Sequence, residues 1–343
     1  MSKQLVLRWR YLSFSVLMPT LVSVIAMALF TGMILLFSLS AGVQWLSPVA
    51  VFNALLGEHD PSVNMVVESF RLPRTLMAAL VGAGLASSGL VLQSVIRNPL
   101  ASPDVMGMTS GASAAAVGFI SFYQLKYGAE WLPVFAICGA MMSSALVYLL
   151  GWRNGVTPMR LILVGIGVSA ATGALTTLII AVSPASTSIS AYIWLTGSVY
   201  GANWNDVNSL LPWTLVGLPA VLLFSRCIDA QELGDQLATG LGISVEKTRL
   251  VLLFLSVILA APAVAYAGAV GFVGLIAPHI ARRLVERKFA LLLPMTALIG
   301  ACLVMLADLL GRLIFLPLDI PAGVFVSAIG APFFIYLLFK QRF

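Results

Sequence analysis

Chemistry-bearing side chains are few in this chain and widely scattered. Its 343 residues hold two histidines, His59 and His279, three cysteines and thirteen carboxylates. A zinc site needs three or four ligands at short spacings, and no such grouping occurs. Cys138 and Cys302 fall inside apolar runs and Cys227 borders a polar loop, so the odd set fits no disulfide framework. No G-x-x-x-x-G-K-[ST] phosphate loop, nucleophile elbow or paired catalytic carboxylates are present, which excludes ATP binding in the usual way and the common hydrolytic mechanisms. Catalytic residues, bound metal and cofactors are therefore all expected to be none. One carboxylate, Asp308, lies deep in an apolar run, with Asp104 and Asp319 at run ends. A proton- or sodium-coupled carrier needs several such groups. A single Asp fits better as a packing partner for a nearby Ser, Thr or Arg.

The elements that must position these groups are apolar helices. Apolar residues make up 60% of the chain, charged ones 9%, and mean hydropathy is +1.02. That composition describes an all-α polytopic membrane protein with no separate globular domain, a single transmembrane unit over 1–343. A span takes about 20 apolar residues. Ten candidates follow, at roughly 16–39, 75–96, 105–123, 132–152, 159–182, 207–225, 248–267, 270–285, 291–311 and 322–339. Pro133, Pro158, Pro294 and Pro321 suit helix starts, where a missing N–H is tolerated. Small residues at helical spacing, such as Ala79, Ala83 and Ser87 or Gly107 and Gly111, suit close packing in lipid. On the connecting segments, Pro48 to Leu56 could lie flat on a membrane surface, and the aromatics of AYIWLTGSVYGANW at 191–204 suit an interfacial belt.

Ten spans put both termini on one side. With that side inside, the inner segments hold fifteen of the nineteen lysines and arginines, among them Lys3, Arg10, Arg97, Arg153, Arg160, Lys247, Arg249, Arg283, Arg287 and Arg342. The outer segments hold Arg71, Arg74, Lys126 and Arg312. The positive-inside rule therefore makes both termini cytoplasmic and explains the sequence pI near 9.4 without nucleic acid. One interruption is both long and strongly charged, RCIDAQELGDQLATGLGISVEKTR at 226–249, between the sixth and seventh spans. It lies on the cytoplasmic side, as short amphipathic helices capped around Gly240 and Gly242. Two readings stand open for it: a solvated connection, or a platform on which a soluble partner docks.

Four stretches carry a resemblance: RLPRTLMAALVGAGLASSGLVLQ at 71–93, RNPLASPDVMG at 97–107, GAVGFVGLIAPHIARRL at 268–284 and DIPAGVFVSAIGAP at 319–332. With the 233–249 loop, in this order from about residue 17 onward, they resemble the iron–siderophore and vitamin B12 permease family of ABC importers, the FecCD type. RNPLASPDVMG, GWRNG at 151–155 and RLILVGIGV at 160–168 lean toward permeases for ferric catecholates, similar to the ferric enterobactin type.

The resemblance implies a ten-helix subunit of the type II importer, or vitamin B12 permease-like, architecture in the bacterial inner membrane. It implies a second permease subunit, a different chain in preference to a second copy, around a central path. It also implies two ATPase subunits below and a periplasmic siderophore-binding protein above, delivering a ferric siderophore. The loop at 226–249 becomes the coupling element, with Leu233, Gly234, Asp235, Ala238, Gly240, Leu241 and Gly242 at its turn. The fifth span would line the path through Ser169, Thr172, Gly173, Thr176 and Thr177, although the same residues also suit ordinary small-residue packing. Arg71, Arg74 and Arg312, against the orientation rule, become docking charges for the binding protein; lipid-phosphate anchoring is the other reading. A secondary carrier working alone is the alternative from another class, and a membrane-embedded enzyme lacks the residues it would need.

Overall fold

The computed structural model describes residues 4–9, 12–57, 60–153, 155, 157–286, 288–315 and 317–340. His59, Asn154 of GWRNG, and the basic residues Lys3, Arg10, Arg287 and Arg342 lie outside the described residues. Each of the ten expected spans coincides with a helix. They are α1 (Met18–Ser40), α2 (Leu72–Ile96), α3 (Met108–Phe122), α4 (Leu132–Gly151), α5 (Pro158–Val182), α6 (Trp204–Leu223), α7 (Val245–Ala267), α8 (Val273–Leu284), α9 (Phe289–Leu313) and α10 (Ala322–Lys340). Seven helices among the described residues are long and apolar enough to cross a membrane, while α3 and α8, at 15 and 12 residues, fall short in length.

Three departures from the expected layout have local causes. A short antiparallel pair, β1 (Gln4–Trp9) and β2 (Leu12–Leu17), precedes α1, where β-branched, aromatic and alternating residues favour strand. Pro294 lies inside α9 instead of starting it, because the helix begins five residues earlier at Phe289, after Lys288 in extended conformation. The aromatic segment after α5 contains a helix of its own, Ala185–Thr196. The piece expected to lie flat does form a helix, Pro48–Leu55, whose Ala50 amide donates to the Ser47 side chain.

α2 is the organising helix. Its residues from Gly84 to Ile96 are continuously buried, and it packs on α9, α7 and α8. A helix apolar all round belongs in the interior. Close approaches are made by Gly111, which the spacing singled out and which abuts Gly139 of α4, and by glycines that it did not. A Cβ added at Gly300 of α9 would fall 2.3 Å from the Gly82 carbonyl oxygen of α2, so the two backbones touch there. Without a hydrophobic drive between helices in lipid, such backbone contact supplies the packing energy. Gly300→Val should therefore lower stability by about 3 kcal/mol or more. Gly32→Val on α1, with nothing within 4 Å of the added Cβ, should be nearly neutral. Thermal unfolding in detergent compares the two.

Candidate functional site

Chemistry-bearing residues gather at the two ends of α2, whose 25 residues set the ends about 37 Å apart. At its first turn lie the three arginines expected as outward charges. They form one cluster with carboxylates of α9 and of the loop before α10. Arg74 Nη2 donates to Asp308 Oδ1 at 2.7 Å and Nη1 to Asp319 Oδ2 at 2.6 Å, and its guanidinium stands 5.4 Å from the Tyr200 ring centre. Arg312 Nε pairs with Asp308 Oδ2 at 3.2 Å, while its Nη2 donates to Ser38 Oγ at 2.6 Å. Arg71 donates to the Leu39, Ser40 and Gln44 carbonyls at 2.7, 3.0 and 2.6 Å, which satisfies the orphan acceptors at the end of α1.

The side chains of Arg74 and Arg312 are 11% and 10% exposed, and Asp308 is 2% exposed. Freely exposed rim charges are therefore not what the geometry gives, because each guanidinium is already engaged within the chain. Asp308 is a packing partner for arginines, as its isolation in an apolar run suggested. Three cations stand against two carboxylates, so the cluster keeps a positive excess. All three arginines also line one open cleft of 260 Å³ beside Val43, Phe70 and Leu318.

At the other end, α2 stops at Arg97, held in the left-handed region at φ 52°. From there Arg97 Nη2 donates to Asp235 in the charged loop. The loop folds as two short helices, Ser225–Glu232 and Asp235–Gly240, joined at Leu233–Gly234. Arg249 of α7 also reaches Asp235, at 3.3 Å, and Ser94 Oγ of α2 donates to Glu232 Oε1 at 3.2 Å. Burial alone would raise the Asp235 carboxyl, but Arg97 and Arg249 outweigh it and hold the group below the usual carboxylate range. Asp229 Oδ1 accepts from the Phe289 amide at 2.9 Å and so caps the start of α9. The loop is clamped to three helices.

The glycines that turn the chain are Gly234 at φ 122° and Gly242 at φ 84°, while Gly240 closes the second short helix with an ordinary negative φ. The helix therefore ends around Gly240 and Gly242 as expected, with the left-handed conformation needed only at Gly242. Gly242→Val should strain the turn by about 1–2 kcal/mol and lower the thermal unfolding temperature in detergent, because a β-branched residue resists positive φ. Gly240→Val should behave close to wild type in the same assay. Ala238 is fully buried, but Leu233, Leu237 and Leu241 are 67%, 59% and 68% exposed. Leu237 was not among the residues singled out from sequence. The recurrence of leucine every four positions was the available signal, although the break at Gly234 leaves Leu233 at the joint, Leu237 within the second short helix and Leu241 just after it.

The five residues expected along α5 recur at i, i+3, i+4, i+7 and i+8 and so share one helical face, of which only Thr177 is exposed. Thr176 is buried, and Ser169 donates to the Asp104 carbonyl at 3.2 Å. Thr172, Thr176 and Thr177 donate to α5 carbonyls one turn back, at 2.9, 2.9 and 3.0 Å. Gly173 is half-buried with open space around it. What α5 leaves uncovered is a stripe of small residues, Gly167, Ala170, Ala171, Ala174 and Thr177, flanked by exposed Leu163, Ile166, Leu175 and Leu178. The hydroxyls therefore satisfy the bundle, and the open surface is mostly apolar.

Known proteins match this arrangement along nearly its whole length. The model of the FecCD transport family matches residues 22–340. Over 309 residues the chain is 53% identical to the achromobactin transport system permease protein of Dickeya dadantii, covering 90% of this chain and 88% of that one. The ferric enterobactin transport system permease protein of Escherichia coli is 39% identical over 307 residues, covering 89% and 92%. A solved inward-facing metal-chelate type ABC transporter superposes with a TM-score of 0.83 at 33% identity, covering 93% of this chain and 99% of that one. With its apolar helices, clamped charged loop and matched motifs, this multi-pass membrane protein belongs to the FecCD transport family.

Proposed function

We propose that the chain is one transmembrane subunit of an ABC importer that carries a ferric siderophore across the bacterial inner membrane. The observation that carries this reading is the apolar face at Leu233, Leu237 and Leu241, on a charged segment clamped by Asp235 and Glu232 to the end of α2. Exposed leucines on a rigid, otherwise polar element fit docking against a soluble partner far better than a solvated connection. That partner is an ATPase subunit, which supplies the hydrolysis this chain has no phosphate loop to perform. The fold likeness to a metal-chelate transporter supports the same reading.

The remaining assignments follow from position. The loop at 226–249 is the coupling element at the cytoplasmic end. The arginine cluster faces the periplasmic binding protein, to which it offers a positive excess at the rim of an open cleft. The uncovered small-residue face of α5 lines the path against the second permease subunit, a different chain in this reading. As to the cargo, motif likeness leans toward catecholates such as enterobactin. The 53% identity to an achromobactin permease against 39% to the enterobactin permease leans elsewhere. A ferric siderophore is the class proposed, and competition among radiolabelled iron chelates in whole-cell uptake ranks its members.

The test is reconstitution. The permease pair, its ATPases and the binding protein in proteoliposomes should take up ferric siderophore only with ATP inside the ATPase compartment. Equal uptake by the permease without any ATPase would overturn this reading in favour of a secondary carrier. Asp308 gives that alternative no support, since its oxygens are engaged by Arg74 and Arg312.

A further inference from the structure

A second cleft, of 610 Å³, opens beside the coupling segment. Its floor is polar and buried: Gln93 and Ser94, at the end of α2, are 2% and 4% exposed. Gln93 Nε2 donates to the Gly274 carbonyl at 3.2 Å, which turns Oε1 to accept from Arg282 Nη1 at 2.5 Å. Arg283 Nη2 and His279 Nε2, one turn apart on α8, approach within 3.4 Å, and the His279 ring packs edge-on against Phe333 at 5.8 Å. Arg97 forms part of the wall, and so does Glu232 from the coupling segment.

Basic residues at this end of the bundle need no special explanation when they are solvated anchors. Arg282 differs, because an amide that is itself buried and oriented fixes its guanidinium at the cleft. Three guanidiniums and an imidazole face one carboxylate within these walls. The volume lies in the range of sites that hold small molecules, about 300–1,000 Å³, and exceeds the needs of a lone inorganic anion. We propose that this cleft binds an anion presenting several oxygen acceptors, and that the coupling segment senses its occupancy. Planar guanidiniums suit such oxygens by bidentate donation. The sensing follows from shared partners. Arg97 also holds Asp235, and Ser94 holds Glu232, so an occupant competes for the contacts that clamp the coupling segment to α2.

Two sources offer this chemistry, a phospholipid headgroup from the inner leaflet or the ferric chelate on its way out. The chelate source rests on the transport reading above, whereas the site itself does not. The test uses the full transporter in nanodiscs, with phosphatidylglycerol retention counted by native mass spectrometry and iron(III) citrate as the soluble probe. Arg282→Gln with Arg283→Gln should weaken one probe about tenfold or more, the scale of one charge-assisted contact. The paired lysine variant should stay within about threefold, because it keeps both charges. Arg283→Gln alone, at an exposed position away from the buried amide, tests the site without disturbing the fold. Loss of phosphatidylglycerol identifies the lipid source and loss of iron(III) citrate the chelate source. Equal binding of both probes by wild type and every variant would overturn the proposal. Failure of the transport reading shows separately, as no ATP-driven uptake by the wild-type complex.

Discussion

Replacing Leu233, Leu237 and Leu241 together by serine should abolish ATP-driven uptake while leaving the permease folded. Each leucine is at least 59% exposed in the isolated chain, so no core contact is lost on substitution. Buried against a partner, each would contribute up to about 1.5–3 kcal/mol. Part of that gain is offset by the freedom lost on association. Losing three should still weaken ATPase capture by more than about 100-fold, which corresponds to only 2.8 kcal/mol. Co-purification of the ATPase reads the capture, and thermal unfolding of the permease alone reads the fold. Wild-type capture by the triple variant would sink the docking assignment and return the segment to a solvated connection. Asp235→Asn is the informative companion. It leaves the leucine face intact but loosens the clamp to Arg97 and Arg249, so capture should persist while uptake falls.

How much of this was legible from the sequence divides along physical lines. Helix existence was, because twenty-odd apolar residues in lipid have one backbone solution. The charged loop was too, since seven charges between apolar runs cannot lie in lipid. Contacts between helices were not. Spacing pointed to Gly111, which does meet Gly139, but on α2 it pointed to Ala79, Ala83 and Ser87, whereas a backbone contact there runs through Gly82 and Gly300; a period of four on one helix does not say which face meets a partner. Backbone sign was equally hidden. Gly234 and Gly242 take positive φ while Gly240 does not, a distinction set by where the short helices end. The partners of the arginines were hidden for a related reason. Arg74 and Asp308 are neighbours in space at a separation of 234 residues, so their pairing depends on a crossing that local pattern does not encode.

Asp308→Ala should be the most destabilising single substitution at the arginine cluster beside the first turn of α2, at about 3–5 kcal/mol. The carboxylate is 2% exposed and accepts from Arg74 while pairing with Arg312. Its removal leaves two nearly buried guanidiniums facing one another with Asp319 as the remaining acid. A single lost hydrogen bond in a membrane bundle would amount to only about 1 kcal/mol, so thermal unfolding separates a packing contact from an ion-pair keystone. Asp308→Asn keeps the shape and one acceptor, and should fall between these limits. The same geometry changes how docking must be tested. Reversing Arg71, Arg74 and Arg312 to glutamate would uncap α1 and break the cluster, so a loss of binding would prove nothing about the surface. Asp319→Asn is the cleaner probe, since Asp319 is 25% exposed and competes for Arg74 from the rim. If an acidic partner docks there, this variant should bind it several-fold more tightly at low salt, with the gain fading as ionic strength rises. Unchanged affinity at every salt concentration, in a variant that folds as wild type, would assign the arginines to holding α1, α2 and α9 together and nothing more.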